Sequence, residues 1–185
     1  MLTKLDLYVN TIKSMKVSQI YYRIRRKMKL DCGIGCTVVA TAENVRPIAA
    51  VPELDFDPAF LDRFSADEIL DDKVTFLHSS KEFRWNQKWY FADKSALWNF
   101  NLHYFEFLFP LIDAYRKTGR RTYLDKSVDT INYWIDNNPQ REGGEGWAPY
   151  TIDLRLTNWL SYYSYVSAEL DYAFKDKLIR SIHEQ

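Results

Sequence analysis

The sequence predicts a mainly α-helical protein of antiparallel helical hairpins, preceded by an irregular N-terminal arm with one or two short strands. Two observations carry this prediction. Through most of residues 94–185, apolar residues recur at three- and four-residue steps, the period of a helix that buries one face. The helical candidates there are separated by short turn signals, Gly119, Asn138-Pro139 and the run Gly143-Gly144-Glu145-Gly146, and short turns favour antiparallel neighbours. The organisation expected is an arm over residues 1–90 and a helical part over 91–185.

In order along the chain, Leu5, Tyr8, Val9, Ile12 and Met15 predict a first helix, and Val17, Ile20, Tyr21, Ile24 and Met28 a second. Arg23, Arg25, Arg26, Lys27 and Lys29 give the second a basic face. Such a face also suits an interfacial membrane helix, but a solvated polar face is the expectation. Thr37–Thr41 and Lys73–Leu77 are candidate strands, being rich in β-branched residues. Between them Pro47, Pro52 and Pro58 read as extended linker, and Phe60–Phe64 as one helical turn.

Four helices are then expected. Leu97–Thr118 carries an aromatic stripe, with Pro110 inside it predicting a kink and Gly119 a stop. Thr122–Asn137 ends at Asn138-Pro139. Ile152–Val166 turns Leu156, Trp159, Leu160 and Tyr163 inward. Ala168 to the C-terminus turns Leu170, Phe174, Leu178 and Ile182 inward.

Composition narrows the function. The 185 residues carry 25 Lys+Arg and 25 Asp+Glu, so the basic excess that phosphate-dominated nucleic-acid binding needs is missing. No nucleic-acid partner is expected. No apolar run approaches the ~18 residues of a membrane span, and membrane contact is not expected. Lys4, Asp6 and Lys13 interrupt any signal-peptide core, which predicts a cytoplasmic protein. Two cysteines, Cys32 and Cys36, and three scattered histidines offer no four-ligand metal set. They read as free thiols in a Gly-containing turn, and no metal or cofactor is expected. Aromatic residues, at 16%, are the unusual feature.

Candidate binding residues fall in two clusters. In the first, a Gly-rich loop delivers Trp147 and Tyr150 to a helix start, and Arg155 and Asn158 lie three apart on one helix face. Arg can grip a carboxylate with two parallel hydrogen bonds, Asn can donate an amide N–H, and flat rings can stack on sugars. These are the parts of a site for an acidic carbohydrate. The same residues also fit a core, with Trp159 and Leu160 buried, Trp147 capping the bundle, and Arg155 paired with Asp153 or Glu142. The second cluster places Asn101 and His103, beside Tyr104, among aromatics. Histidine is the usual proton carrier near neutral pH, although it is as readily structural here, and Asn99 or Asn101 suits an N-cap. Phosphate-loop, dinucleotide, zincin and nucleophile-elbow motifs are absent.

The runs Trp98-Asn99-Phe100-Asn101-Leu102-His103-Tyr104-Phe105, Gly146-Trp147-Ala148-Pro149-Tyr150 and Leu154-Arg155-Leu156-Thr157-Asn158-Trp159 together resemble the N-terminal domain of heparinase II/III-type polysaccharide lyases. Tyr8–Lys13 and Gln19–Arg23 resemble the leader of bacterial members linked to surface-polysaccharide clusters. The resemblance implies part of an incomplete α/α toroid, normally followed by a β-sandwich. It also implies β-elimination on an acidic, uronate-bearing polysaccharide as partner. The family's catalytic Asn-His motif, Tyr and later His have no counterpart here. The expectation is therefore an N-terminal fragment, inactive alone, whose partner is the missing C-terminal part. No residue is assigned a catalytic role, and Asn101, His103, Trp147, Tyr150, Arg155 and Asn158 are the expected substrate-binding residues. A non-enzymatic carbohydrate-binding or scaffold module is the alternative.

Overall fold

In the computed structural model, residues 15–19, 21, 40–43, 57–139 and 143–185 are described. Chain contacts divide the protein into Met1–Val38 and Val39–Gln185. In the first unit, the Lys16 backbone N–H donates to Gln19 Oε1 at 3.0 Å. The two expected N-terminal helices, the second with its basic face, lie mostly outside the described residues, as do Cys32, Cys36 and most of the Thr37–Thr41 strand candidate.

The second unit begins its regular structure where sequence provides caps. Asp57 accepts from Ala59 N–H and starts α1 (Pro58–Leu61), with Pro58 at a position whose missing N–H costs nothing. Ser65 caps α2 (Ala66–Leu70). Lys73–Phe76 forms β1 as expected. It pairs antiparallel with β2 (Ser79–Glu82), Phe76 facing Ser79. Val74 and Phe76 alternate inward. The two-residue turn puts Leu77 and His78 at φ +53° and +60°, which suits a hairpin twist but is ordinarily left to Asn-Gly.

The expected long helix over 97–118 is two helices. Ser95 Oγ, and neither Asn99 nor Asn101, accepts the capping N–H at the start of α3 (Ala96–Leu102). Asn99 instead pins the preceding loop, accepting from Phe91 N–H at 2.9 Å and donating to Phe91 O at 3.0 Å. The chain breaks at Phe105, φ +65°, and α4 starts at Leu108 and runs to Thr118. Pro110 therefore sits in the first turn of a helix. Its missing donor is one of the groups left unpaired there anyway, so the expected kink does not arise. Gly119 ends α4 in the left-handed conformation.

Helix α5 (Arg121–Asn137) folds back on α4 as a helical hairpin. A 3₁₀ turn at Glu145–Trp147 leads into α6 (Pro149–Val166), which packs on α4. A second 3₁₀ turn, Ser167–Glu169, separates it from α7 (Tyr172–Glu184), capped by Asp171 and packed on α5. The protein is thus mainly helical with a two-stranded sheet. Leu160, expected inside, is 47% exposed, and Leu156 is only half-buried. The inward stripe of α6 runs through Thr151, Arg155, Trp159 and Tyr162–Tyr163 instead.

The core is aromatic. Phe76, Phe83, Trp85, Trp89 and Phe91 from the hairpin and its following loop join Trp98, Phe105, Phe107, Trp134 and Trp159 from the helical part in one buried cluster. Rings meet edge-to-face or stacked, as at Phe76–Trp98 (5.2 Å) and Trp89–Phe105 (5.2 Å), geometries that add about 0.5–1.5 kcal/mol per pair to their burial. No helix among the described residues is long and apolar enough to cross a membrane.

Candidate functional site

Of the sequence-selected residues, His103 and Arg155 meet at Gly146, beside Trp147, in an inner layer; Tyr150 and Asn158 meet at Tyr104 in an outer one, and Asn101 lines a neighbouring hollow. His103, at the C-terminal end of α3, is 3% exposed. Its Nδ1 accepts the Trp134 indole N–H at 2.8 Å. An indole nitrogen only donates, so the proton sits on Nε2, which lies 2.9 Å from Trp89 O and donates to it. Burial, reinforced by the charge of Arg155, pulls the His103 pKa down to about 3. At neutral pH this ring is uncharged, and both its nitrogens are engaged within the protein.

Arg155 is fully buried beside it. Nη1 donates to Gly146 O at 2.7 Å, and Nε and Nη2 both donate to Gln185 Oε1 at 2.8 and 2.6 Å. Its guanidinium lies 4.0 Å from the Trp134 ring centroid and 5.4 and 5.8 Å from those of Trp147 and Trp159. Neutral oxygens and ring faces thus solvate this cation, while Asp153 stays exposed and Glu142 lies outside the described residues. Burial lowers its pKa to about 9, still far enough above neutrality to keep the charge.

Gly146 is what lets these parts meet. A Cβ there would come within 2.9 Å of His103 Nδ1. Asn138 ties the cage to its surroundings. It accepts Trp89 N–H at 3.3 Å on Oδ1 and the Trp147 indole N–H at 3.0 Å on its carbonyl. A recess of about 150 Å³ opens beside this layer, lined by Lys88, Tyr90, His103, Glu145 and Trp147 among others. That is below the ~300 Å³ at which small-molecule pockets begin.

The outer layer carries the exposed groups. Tyr150 is 66% exposed and meets the Tyr104 ring edge-on at 6.0 Å. Asn158 donates to Tyr104 O at 2.7 Å and fastens this rim to α6. Burial, with Tyr150 and Glu106 nearby, raises the Tyr104 pKa, so its hydroxyl is protonated at neutral pH. Asn101 donates to Leu97 O at 2.8 Å. It also lines a neighbouring hollow of about 370 Å³ with Arg63, His78 and Glu106, where Arg63 and Glu106 form an ion pair at 3.1 Å. Thus Tyr150 and Asn158 share the Tyr104 rim, Asn101 opens onto an adjoining hollow, Trp147 bridges the layers, and His103 and Arg155 lie beneath. Sequence reasoning missed Trp134, Gly146 and Asn138 as members of the cage. The Gly-rich run was a signal for close approach, but nothing in the sequence named His103 as its neighbour. Among the described residues no group of three or more His, Cys, Asp or Glu converges as a metal would need.

Over 131 residues, 68% of this chain, the sequence is 23% identical to a heparin-sulfate lyase of Bacteroides thetaiotaomicron. The chain is distantly related to a polysaccharide lyase. It spans about a fifth of that relative's length, the match covering 19% of it. No family model matches the chain. No solved structure matches it.

Proposed function

We propose that this chain is a helical portion, belonging to an α/α toroid, of a lyase that acts by β-elimination on a uronic-acid-containing polysaccharide. By itself it binds such a polymer and does not cleave it. The observation that carries this reading is the similarity to the heparin-sulfate lyase across 131 residues. In β-elimination a base takes the proton beside the uronate carboxylate, the electron pair forms the C=C bond, and the glycosidic C–O bond breaks as an acid protonates the leaving oxygen. The carboxylate must be neutralised for the intermediate to be tolerable. His103, uncharged with both nitrogens engaged, does not supply that proton traffic as the described residues stand. Tyr150, Asn158, Asn101 and the edge of Trp147 form the binding rim, and His103 and Arg155 hold it in place from below.

The test is to mix the 185-residue chain with heparan sulfate and with alginate, following unsaturated-uronate absorbance and binding together. Binding without product supports the reading. Sustained product overturns the statement that the chain is inactive alone, and absence of binding to every uronate polymer overturns the substrate class.

The engagement of both His103 nitrogens also favours a second reading, a non-enzymatic carbohydrate-binding or scaffold module. The two part on selectivity. A lyase portion prefers uronate-bearing polymers over neutral ones, whereas a scaffold module has no reason to.

A further inference from the structure

Beside the hairpin and α5, apart from every residue of the rim and cage, lies a hollow of about 350 Å³ lined by Arg84, Trp85, Asn86, Asp129, Thr130 and Tyr133, with Asp72 and Lys126 at its edge. Its volume falls in the range of small-molecule sites. Two of its lining residues keep a buried polar atom with no partner. Trp85 is 3% exposed and its Nε1–H is unbonded; Thr130 is 1% exposed and its Oγ1 is unbonded. Buried polar groups are almost always satisfied, and an exception calls for an explanation. Most indoles of this core are satisfied: Trp89, Trp98, Trp134 and Trp147 all donate to a named acceptor. Trp159 Nε1 and Thr151 Oγ1 on α6 are unbonded too; what sets Trp85 and Thr130 apart is that they line one hollow together.

The charges around the hollow cancel. Lys126 Nζ donates to Asp72 and to Leu70 O, and lies 5.5 Å from the Trp85 ring centroid. Arg84 and Asp129 remain, one of each sign. A fully ionic ligand gains nothing from a balanced site. A ligand whose groups both donate and accept gains at every wall, from the indole and guanidinium donors, the Asn86 amide, the Thr130 hydroxyl and the Asp129 carboxylate. Tyr133, 37% exposed, offers a ring to an apolar face. Hydroxyls set on a flat-faced ring describe an uncharged pyranose.

We propose that this hollow is a second saccharide-binding site, which takes a neutral sugar unit of the polymer. It rests on the reading of the chain as a polysaccharide-binding portion, and would let one polymer be held at two places. Trp85 meets Trp89 edge-to-face at 5.3 Å and its carbonyl accepts the Trp89 indole N–H at 2.9 Å, while Trp89 O is the acceptor of His103.

The test uses the isotope-labelled chain and the indole N–H resonance of Trp85, titrated with a neutral β-linked tetrasaccharide and with one alternating uronate and hexosamine. With both sugars the Trp85 N–H signal moves downfield as it gains an acceptor, while Asp129→Asn and Tyr133→Ala each weaken that titration at least tenfold. Thr130→Val, which removes the orphan hydroxyl and keeps the shape, melts at or above the wild-type temperature and binds the neutral sugar more weakly. A Trp85 signal that neither sugar moves, in a chain that still binds uronate polymer through Tyr150, overturns this site and leaves the functional reading standing. If the wild-type chain binds no saccharide and the Trp85 signal moves with none, both fall. A shift untouched by Asp129→Asn and Tyr133→Ala also overturns the site.

Discussion

Arg155 and Asn158 stand three residues apart on α6, and the protein uses them in opposite ways. Arg155 is sealed among three tryptophans with its N–H groups turned to Gly146 and Gln185. Asn158 reaches outward to the backbone of Tyr104, at the foot of the exposed Tyr150. The same contrast separates His103, closed off by Trp134 and Trp89, from its sequence neighbour Tyr104. Residues with binding chemistry at the right spacing are thus divided between a cage that holds shape and a rim that can meet a ligand. Side-chain chemistry names what a residue could do, and burial decides which of them is free to do it.

The cage and rim separate most sharply under substitution. Arg155→Ala leaves a cavity in the cage and strips Gly146 O of its donor, a combined loss expected to reach about 3 kcal/mol, read by urea unfolding. An unchanged unfolding midpoint would place Arg155 outside the cage. Gly146→Ala forces a methyl against His103, whose ring is fixed on both sides, and should destabilise by about 1–3 kcal/mol, the usual range for overpacking. A cage able to yield would show no loss.

Acid probes the same cage without mutation. The folded pKa of His103 lies at about 3, below its ordinary value of 6.5. In the unfolded chain the ring takes up its proton near 6.5, while the folded chain refuses it until about 3. Its contribution to stability is thus complete above pH 6.5 and drains away as the pH falls toward 3. His103→Gln, which keeps one acceptor and one donor but has no proton to gain, should flatten the stability-against-pH curve over that window. An identical curve would mean that other groups set it.

The rim should show the smallest stability effect. Tyr150→Ala is expected to change stability by less than about 0.5 kcal/mol, as for most exposed positions, while weakening polysaccharide binding. A large loss of stability would move Tyr150 into the cage.

Much of the helical part was legible in the sequence because its signals are local. Gly119, Asn138-Pro139 and the period of α5 mark their own boundaries, and Lys73–Phe76 alternates as a strand should. The break between α3 and α4 was not legible. It rests on Phe105 in the left-handed region, an arrangement with a cost of about 1–3 kcal/mol for a bulky residue and held by Trp89, Phe107, Trp134 and Trp159 around its ring. Apart from Phe107, those partners come from three other stretches of chain, so no window around residue 105 contains the whole reason. The seal on Arg155 is similar. Spacing puts Arg155 and Asn158 on one face, but only the approach of Gly146, Trp134 and Gln185 decides that the arginine is enclosed. The Leu77-His78 turn escaped notice for the opposite reason, since neither residue belongs to the usual turn vocabulary.

Calorimetric titration of the chain and of Tyr150→Ala with a heparan sulfate oligosaccharide tests the division between cage and rim most directly. The account predicts that the wild-type chain binds, that the variant binds at least about tenfold more weakly, a difference of about 1.4 kcal/mol, and that both melt at the same temperature. Equal affinity of the two at equal stability would contradict it.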